Sequence, residues 1–227
     1  MVSKMFEIGG QRMTTWNVLH GCTFDCLYCS VRKLVATRLK DSPVYKDGMT
    51  PGINMGMLGK KFKPGEWVFI GYMGDVSCQL WDNIQLVLDK VWEQPEVNFY
   101  IQSKAPDAFT GCEAEFPVNV VFGTTLETNR DYKESQAPAP HERYKSMLKL
   151  RTTQRRLMVS IEPVMDFDLE IFTAWIQDIR PERVFLGADN YGNGLPEPTA
   201  EKLSAFIGQL KDAGIEVIEK QGLTRLL

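Results

Sequence analysis

Val68-Phe69-Ile70 and Val118-Asn119-Val120-Val121-Phe122 are apolar on almost every consecutive position, so strands built from them have no face to offer water. Strands covered on both faces belong to parallel sheets flanked by helices. Similar runs recur along the chain at 14–18, 67–71, 97–102, 118–123, 157–161, 184–187 and 215–218, and helix-length segments separate them. That alternation is the signature of βα units. Leu80, Ile84, Val87, Leu88 and Val91 repeat at helical spacing, as do Leu169, Phe172, Ile176 and Ile179, and then Leu203, Phe206, Ile207 and Leu210. Each stripe is wide enough to pack on a sheet. The third helix has Thr199 at its predicted N-cap and Gly214 just past its end. Further helices are expected over 31–39 and 142–150, and residues 105–112 have room for a turn.

Six βα units and a closing strand fit 227 residues, whereas a full eight-fold barrel takes about 250. The expected fold is an α/β partial (β/α)6 TIM-type barrel with a closing strand, formed by residues 1–227 as one domain. Two irregular stretches read as surface loops: 41–65, rich in Gly, Met and Lys, and 134–140, rich in Pro and Ala. The first is longer than connections usually are, which favours a functional or mobile role.

The longest strongly apolar stretch, residues 67–73, is far short of the roughly 18 needed to span a bilayer. The first ten residues carry neither an apolar core nor a small-residue cleavage site, so the expectation is a cytoplasmic chain. With 26 Lys plus Arg against 29 Asp plus Glu, the net charge of −3 excludes global attraction to nucleic acid. Basic residues cluster at Arg32, Lys33, Arg38 and Lys40, at Lys60, Lys61 and Lys63, and at Arg151, Arg155 and Arg156. These are either solvated faces or local contact sites.

Of the five cysteines, Cys22, Cys26 and Cys29 lie within one short loop, and an odd count without an export signal argues against a disulfide framework. The spacing Cys22-Thr-Phe-Asp-Cys26-Leu-Tyr-Cys29 lets one turn of chain aim three sulfurs at one point. The loop (19–30) follows the first strand, at the C-terminal mouth where barrel active sites gather. Three thiolates suit a cubane iron-sulfur cluster with one iron left open, since a closed cluster takes four. The alternative is zinc held by the three cysteines and His20.

The C-x-x-x-C-x-x-C spacing with Tyr28 before the last cysteine resembles the radical S-adenosylmethionine superfamily. Other strand ends resemble it in order. Val68-Phe-Ile-Gly-Tyr-Met-Gly74-Asp75 stands where that family has a Gly-rich segment meeting the methionine ammonium, with Asp75 replacing the more usual Glu. Gln102-Ser103-Lys104 is similar to an element of spore photoproduct lyase and of a compact phage-associated radical family. Gly123-Thr-Thr125-Leu-Glu127-Thr-Asn-Arg130, Ser160-Ile-Glu162-Pro163 and Glu219-Lys-Gln-Gly222 also resemble that compact family.

The resemblance implies a [4Fe-4S] cluster on Cys22, Cys26 and Cys29. It implies S-adenosylmethionine on the open iron, cleaved reductively to a 5'-deoxyadenosyl radical that abstracts hydrogen from substrate. It gives Lys104 to the cofactor carboxylate, and makes Thr125, Glu127, Ser160 and Glu162 candidates for ribose, methionine or substrate contacts. It also implies an electron donor such as a flavodoxin or ferredoxin. Read from the residues alone, Asp75 is equally an ammonium acceptor or a helix cap, and the bland alternative for Lys104 is a snorkelling surface lysine. Cys78 is either a hydrogen-atom donor to a product radical or a small buried hydrophobe. Tyr72, Trp81 and Tyr191 either stack on a base or pack the rim. The expected function is a minimal radical enzyme, of lyase or base-modifying type, acting on a nucleic-acid base or nucleotide. A peptide or small metabolite is the second substrate class, and a zinc-stapled nucleic-acid-binding module is the non-enzymatic alternative.

Overall fold

The computed structural model describes residues 7–8 and 11–227. Its centre is a seven-stranded sheet of β1 (Thr14–Trp16), β2 (Trp67–Ile70), β3 (Asn98–Gln102), β4 (Val120–Thr125), β5 (Leu157–Ile161), β6 (Arg183–Leu186) and β7 (Glu216–Glu219). The strands lie side by side in chain order, and every neighbouring pair is parallel. The sheet curls into a half-barrel, with helices on its outer side. α1 (Ser30–Thr37) packs Val35 against Tyr45 and Met73, and the outer helices are α2 (Trp81–Trp92), α3 (Pro140–Thr152), α4 (Leu169–Ile179) and α5 (Ala200–Asp212).

Period-two alternation divides each strand between two cores. Val68, Ile70, Phe99, Ile101, Val120, Phe122, Val159 and Leu186 face outward into the sheet–helix core, whose helical side includes Val87, Met147, Ile176 and Phe206. Phe69, Tyr100, Val121, Met158 and Phe185 face inward and fill the concave side with Ile8 and Met13. The next inward positions toward the strands' C-terminal ends are Gln102, Gly123, Thr125 and Ser160. Gly123 has a specific reason to lack a side chain, because a Cβ there would sit 2.3 Å from the Tyr100 hydroxyl. That hydroxyl donates to Gln102 Oε1 at 2.6 Å, and Gln102 Nε2 donates to Thr125 Oγ1 at 2.6 Å. The apolar floor therefore ends in a hydrogen-bonded polar layer.

The connection from β3 to β4 holds two 3-10 turns, Pro106–Phe109 and Glu113–Glu115, in place of an outer helix. Pro106 and Pro117 flank it, and Phe109 and Phe116 insert into the outer core. The helix expected over 142–150 begins at Pro140, which occupies the first helical position, where its missing N–H costs nothing. Thr199 caps α5 by accepting from Lys202 N at 3.3 Å, and Gly214 follows at φ 76°.

The first strand is shorter than expected. After β1 the chain turns, and Leu19–His20 pairs antiparallel with Gly52–Ile53 from within the irregular 41–65 stretch. Trp16 Nε1 donates to Met57 O at 2.8 Å, Asn54 N to Val18 O at 2.7 Å and Cys22 N to Met49 O at 2.8 Å. That stretch is a fitted backing for the cysteine loop. Among the described residues no helix is long and apolar enough to cross a membrane.

A cysteine-lined candidate active site

A cavity of about 640 Å³ opens at the C-terminal ends of the strands. Cys22, Cys26 and Cys29 form one wall, and all three are free and half-buried. Gly74 brings the segment after β2 against the loop, forming a parallel bridge with Gly21, and a Cβ on Gly74 would lie 2.6 Å from Gly21 O.

Two of the three sulfurs accept a backbone N–H. Phe24 N–H donates to Cys22 Sγ at 3.5 Å. Arg32 N–H donates to Cys29 Sγ at 3.3 Å, which makes Cys29 the N-cap of α1 and puts its sulfur at the positive end of that helix. Burial pushes the Cys26 thiol up, and the charge of the Lys104 ammonium opposes the shift. Among the described residues, no three of His, Cys, Asp or Glu are drawn together as an ion's ligand set. The fit of a metal cluster rests on the donor chemistry and the shared wall. His20 does not line the cavity; its ring packs edge-on to Tyr45, 5.5 Å away. The Cys3His zinc set is therefore not brought together.

Of the other residues marked in the sequence, Tyr28, Gly74, Asp75, Lys104, Thr125, Ser160 and Glu162 line the cavity. Asp75 is already well occupied. Its Oδ1 accepts from Ser77 N at 3.0 Å, Ser77 Oγ at 2.8 Å and Ser103 Oγ at 2.7 Å, and its Oδ2 accepts from Lys104 N at 2.9 Å. It caps a 3-10 turn, Val76–Cys78, and ties β2 to β3. Ser103, Glu127 and Cys78 lie outside the lining. Cys78 sits behind the loop, 3.4 Å from Thr23 Oγ1, and a hydrogen bond with Cys22 brings its thiol down to about 6 and pushes Cys22 up.

Lys104 is buried, so it does not snorkel. Its ammonium meets the Glu127 carboxylate and the Tyr28 hydroxyl and lies over the Tyr28 ring, 4.5 Å from its centre. Glu127 has no exposed surface. Burial alone would raise its pKa, but Arg143 and Lys104, with the hydroxyl of Tyr28, hold it well below the usual carboxylate range. Burial and the neighbouring Glu127 charge drive the Tyr28 hydroxyl far up, so it stays protonated.

Across the cavity from the cysteines, Ser160 Oγ donates to Glu162 Oε1 at 3.2 Å, and Lys220 Nζ lies 3.9 Å from the same oxygen. Burial raises Glu162 and lowers Lys220, each shift opposed by the partner's charge. Above this pair, Asp189, Asn190, Tyr191 and Asn193 from the loop after β6 form the rim. Lys33 of α1 reaches over and donates to Asn193 Oδ1 at 2.6 Å. Tyr191 is exposed at this rim, and Tyr72 lines the wall.

Arg143, Glu134 and the rim residues Asp189, Asn190 and Asn193 went unmarked in the sequence. Asp189-Asn-Tyr-Gly-Asn-Gly194 carried the available signal, a polar glycine-rich loop directly after a strand. Arg143 carried none, since an arginine in the first turns of a helix ordinarily faces water.

No family model matches the chain, and no curated protein matches it. Solved structures do. A spore photoproduct lyase mutant with bound AdoMet and dinucleoside spore photoproduct superposes with a TM-score of 0.57 at 10% identity, covering 88% of this chain and 61% of that one. A radical SAM methyltransferase from Sphaerobacter thermophilus gives 0.56 at 15% identity, covering 93% and 67%. Streptococcus suis SuiB bound to S-adenosylmethionine gives 0.56 at 10% identity, covering 92% and 50%. The likeness is one of fold, and this chain spans about three fifths of the length of the lyase.

Proposed function

We propose that this chain is a radical S-adenosylmethionine enzyme. The observation that carries the reading is the cavity wall itself: three free cysteines on one loop at the barrel mouth, with Cys22 and Cys29 each accepting a backbone N–H. Cys22, Cys26 and Cys29 would hold a [4Fe-4S] cluster. When bound, that cluster supplies the electron that cleaves S-adenosylmethionine to the 5'-deoxyadenosyl radical.

The chain's own residues bind, orient and enclose. Lys104 places a cation on the wall beside Cys26, suited to a carboxylate. Thr125, Ser160 and Glu162 offer short polar groups to hydroxyls. Phe69 and Tyr72 give the cavity apolar surface on which a base can lie. Asp189, Asn190 and Asn193 make the rim polar, and Asp189 fixes its shape by accepting from Tyr191 N at 3.1 Å and from Asn193 N at 2.5 Å. The substrate we propose is accordingly a nucleic-acid base or nucleotide, modified by hydrogen abstraction in a lyase or base-modifying reaction. An external one-electron donor, such as a flavodoxin or ferredoxin, would supply the reducing equivalent. The likeness in fold to a spore photoproduct lyase supports the same choice.

The test is anaerobic reconstitution with iron and sulfide, then dithionite and S-adenosylmethionine, with chromatography for 5'-deoxyadenosine. The chain should make the nucleoside and Cys26→Ala should not. A colourless chain without nucleoside overturns the reading. Turnover with labelled cofactor beside oligonucleotides, nucleotides and peptides then reads the substrate class: label exchanged into a peptide alone would remove the nucleotide proposal.

A further inference from the structure

We infer that Arg143 is a positioning residue for the cysteine loop, clamping Leu27 and Tyr28, the two residues between Cys26 and Cys29, from outside the cavity. Its side chain is 1% exposed and does not line the cavity, so it is not placed to touch a ligand there. Four of its five N–H groups are engaged. Nη1 donates to Glu127 Oε2 and to Thr125 O, both at 2.8 Å; Nε donates to Pro138 O at 2.8 Å; and Nη2 donates to Glu134 Oε1 at 3.3 Å.

Two separate ties from the loop end on those partners. The Tyr28 hydroxyl donates to Glu127, and Leu27 N donates to Glu134 O at 2.9 Å. Two residues further on, Gln136 N donates to Phe24 O at 2.6 Å, so the 134–138 segment runs against the loop while Arg143 grips its far side. A planar five-donor fork can hold this geometry; an ammonium has a single point from which to reach four acceptors.

The charges also close, with Glu127 and Glu134 against Arg143 and Lys104. Lys104 alone among these four lines the cavity. Arg143 therefore keeps Glu127 compensated if a bound anion draws the Lys104 ammonium toward the cavity. The clamp's purpose rests on the proposed metal-binding role of the cysteines, but its mechanics do not, and the test separates the two.

The experiment is hydrogen exchange by mass spectrometry on the metal-free chain, comparing wild type with Arg143→Lys and with the double variant Glu127→Gln/Arg143→Met. The double variant removes both charges of the central pair, so no unpaired Glu127 carboxylate is left, while Arg143→Lys keeps a cation beside Glu134. Losing the fork should speed exchange in the peptide spanning 22–30 by roughly tenfold, the size expected when buried hydrogen bonds are unmade locally. Exchange in β5 and α5 should stay at wild-type rates. Iron retained after reconstitution should fall in the same variants. Unchanged exchange over 22–30, or acceleration shared equally by β5, overturns the clamp. A wild type that takes up no iron but shows the local effect in its variants overturns the proposed function and leaves the clamp standing.

Discussion

Glu127 is the single residue on which most of the candidate site's electrostatics turns. Its carboxylate is completely buried between Lys104 and Arg143 and accepts from Tyr28. Replacing one member of a buried pair strands the others, at a cost of about 3–5 kcal/mol. Glu127→Gln should therefore lower unfolding stability by that amount at pH 7, read from urea titration. The pH dependence has a definite sign. Because the folded-state pKa is depressed, ionised Glu127 contributes its full stability above the unfolded value near 4.5, and the contribution fades as pH falls below it. The gap between wild type and Glu127→Gln should shrink by about 1.4 kcal/mol per pH unit below that point. A gap that stays constant from pH 7 to pH 3.5 would mean that Glu127 is not held ionised. Glu162 runs the other way. Burial raises its pKa, so the stability tied to its protonated form is complete below about 4.5 and is lost as pH rises. Glu162→Gln should accordingly cost little at neutral pH, by the same titration.

Among the elements, the strands were the most legible in the sequence. A run apolar at successive positions has two buried faces, and Leu157–Ile161 forms as expected. The boundaries of α5 were legible for a local reason too, since capping at Thr199 and the left-handed turn at Gly214 involve only near neighbours. The cysteine loop was equally local. What could not be read were the partners chosen across long separations: Leu27 with Glu134, Tyr28 with Glu127, and the 41–65 stretch folded back on the loop. Sequence periodicity carries no information about which distant loop supplies an acceptor. That stretch leads to a prediction of its own. Gly21 sits at φ 80°, and a Cβ there would lie 2.2 Å from Thr50 O, so Gly21→Ala must push 49–50 away from the cysteine loop. Exchange at the Cys22 amide, which donates to Met49 O, should rise while β4 remains protected. Wild-type protection at Cys22 in this variant would show that the two segments are not coupled.

At the scale of the whole molecule, the curled sheet leaves one mouth, with the cysteine wall at the β1 side and the Glu162–Lys220 pair toward the β7 edge. How a polyanionic substrate would meet that mouth depends on which surface cations are free. The basic clusters read from the sequence are largely committed within the chain. Arg32 pairs with Asp25 at 3.1 Å, Lys61 with Glu93 at 2.6 Å and Arg156 with Glu182 at 2.6 Å. Arg151 donates to Asp178 O at 2.6 Å and Arg155 to Pro117 O at 3.2 Å. Near the rim, Lys33 is engaged by Asn193. With a net charge of −3 and these six cations engaged, the clusters offer a phosphate backbone few free contacts among the described residues. Recognition of a nucleic-acid substrate would then come from the base entering the cavity, with few phosphate contacts. Each neutralised single-strand phosphate steepens the dependence of log affinity on log salt by about 0.7. Oligonucleotide binding measured across a salt series should therefore show a slope no steeper than about −2, equivalent to roughly three phosphates. A mononucleotide should retain most of the affinity. A slope of about −5 would instead require an extended basic groove, and would move the recognition surface away from the cavity and onto the outer helices.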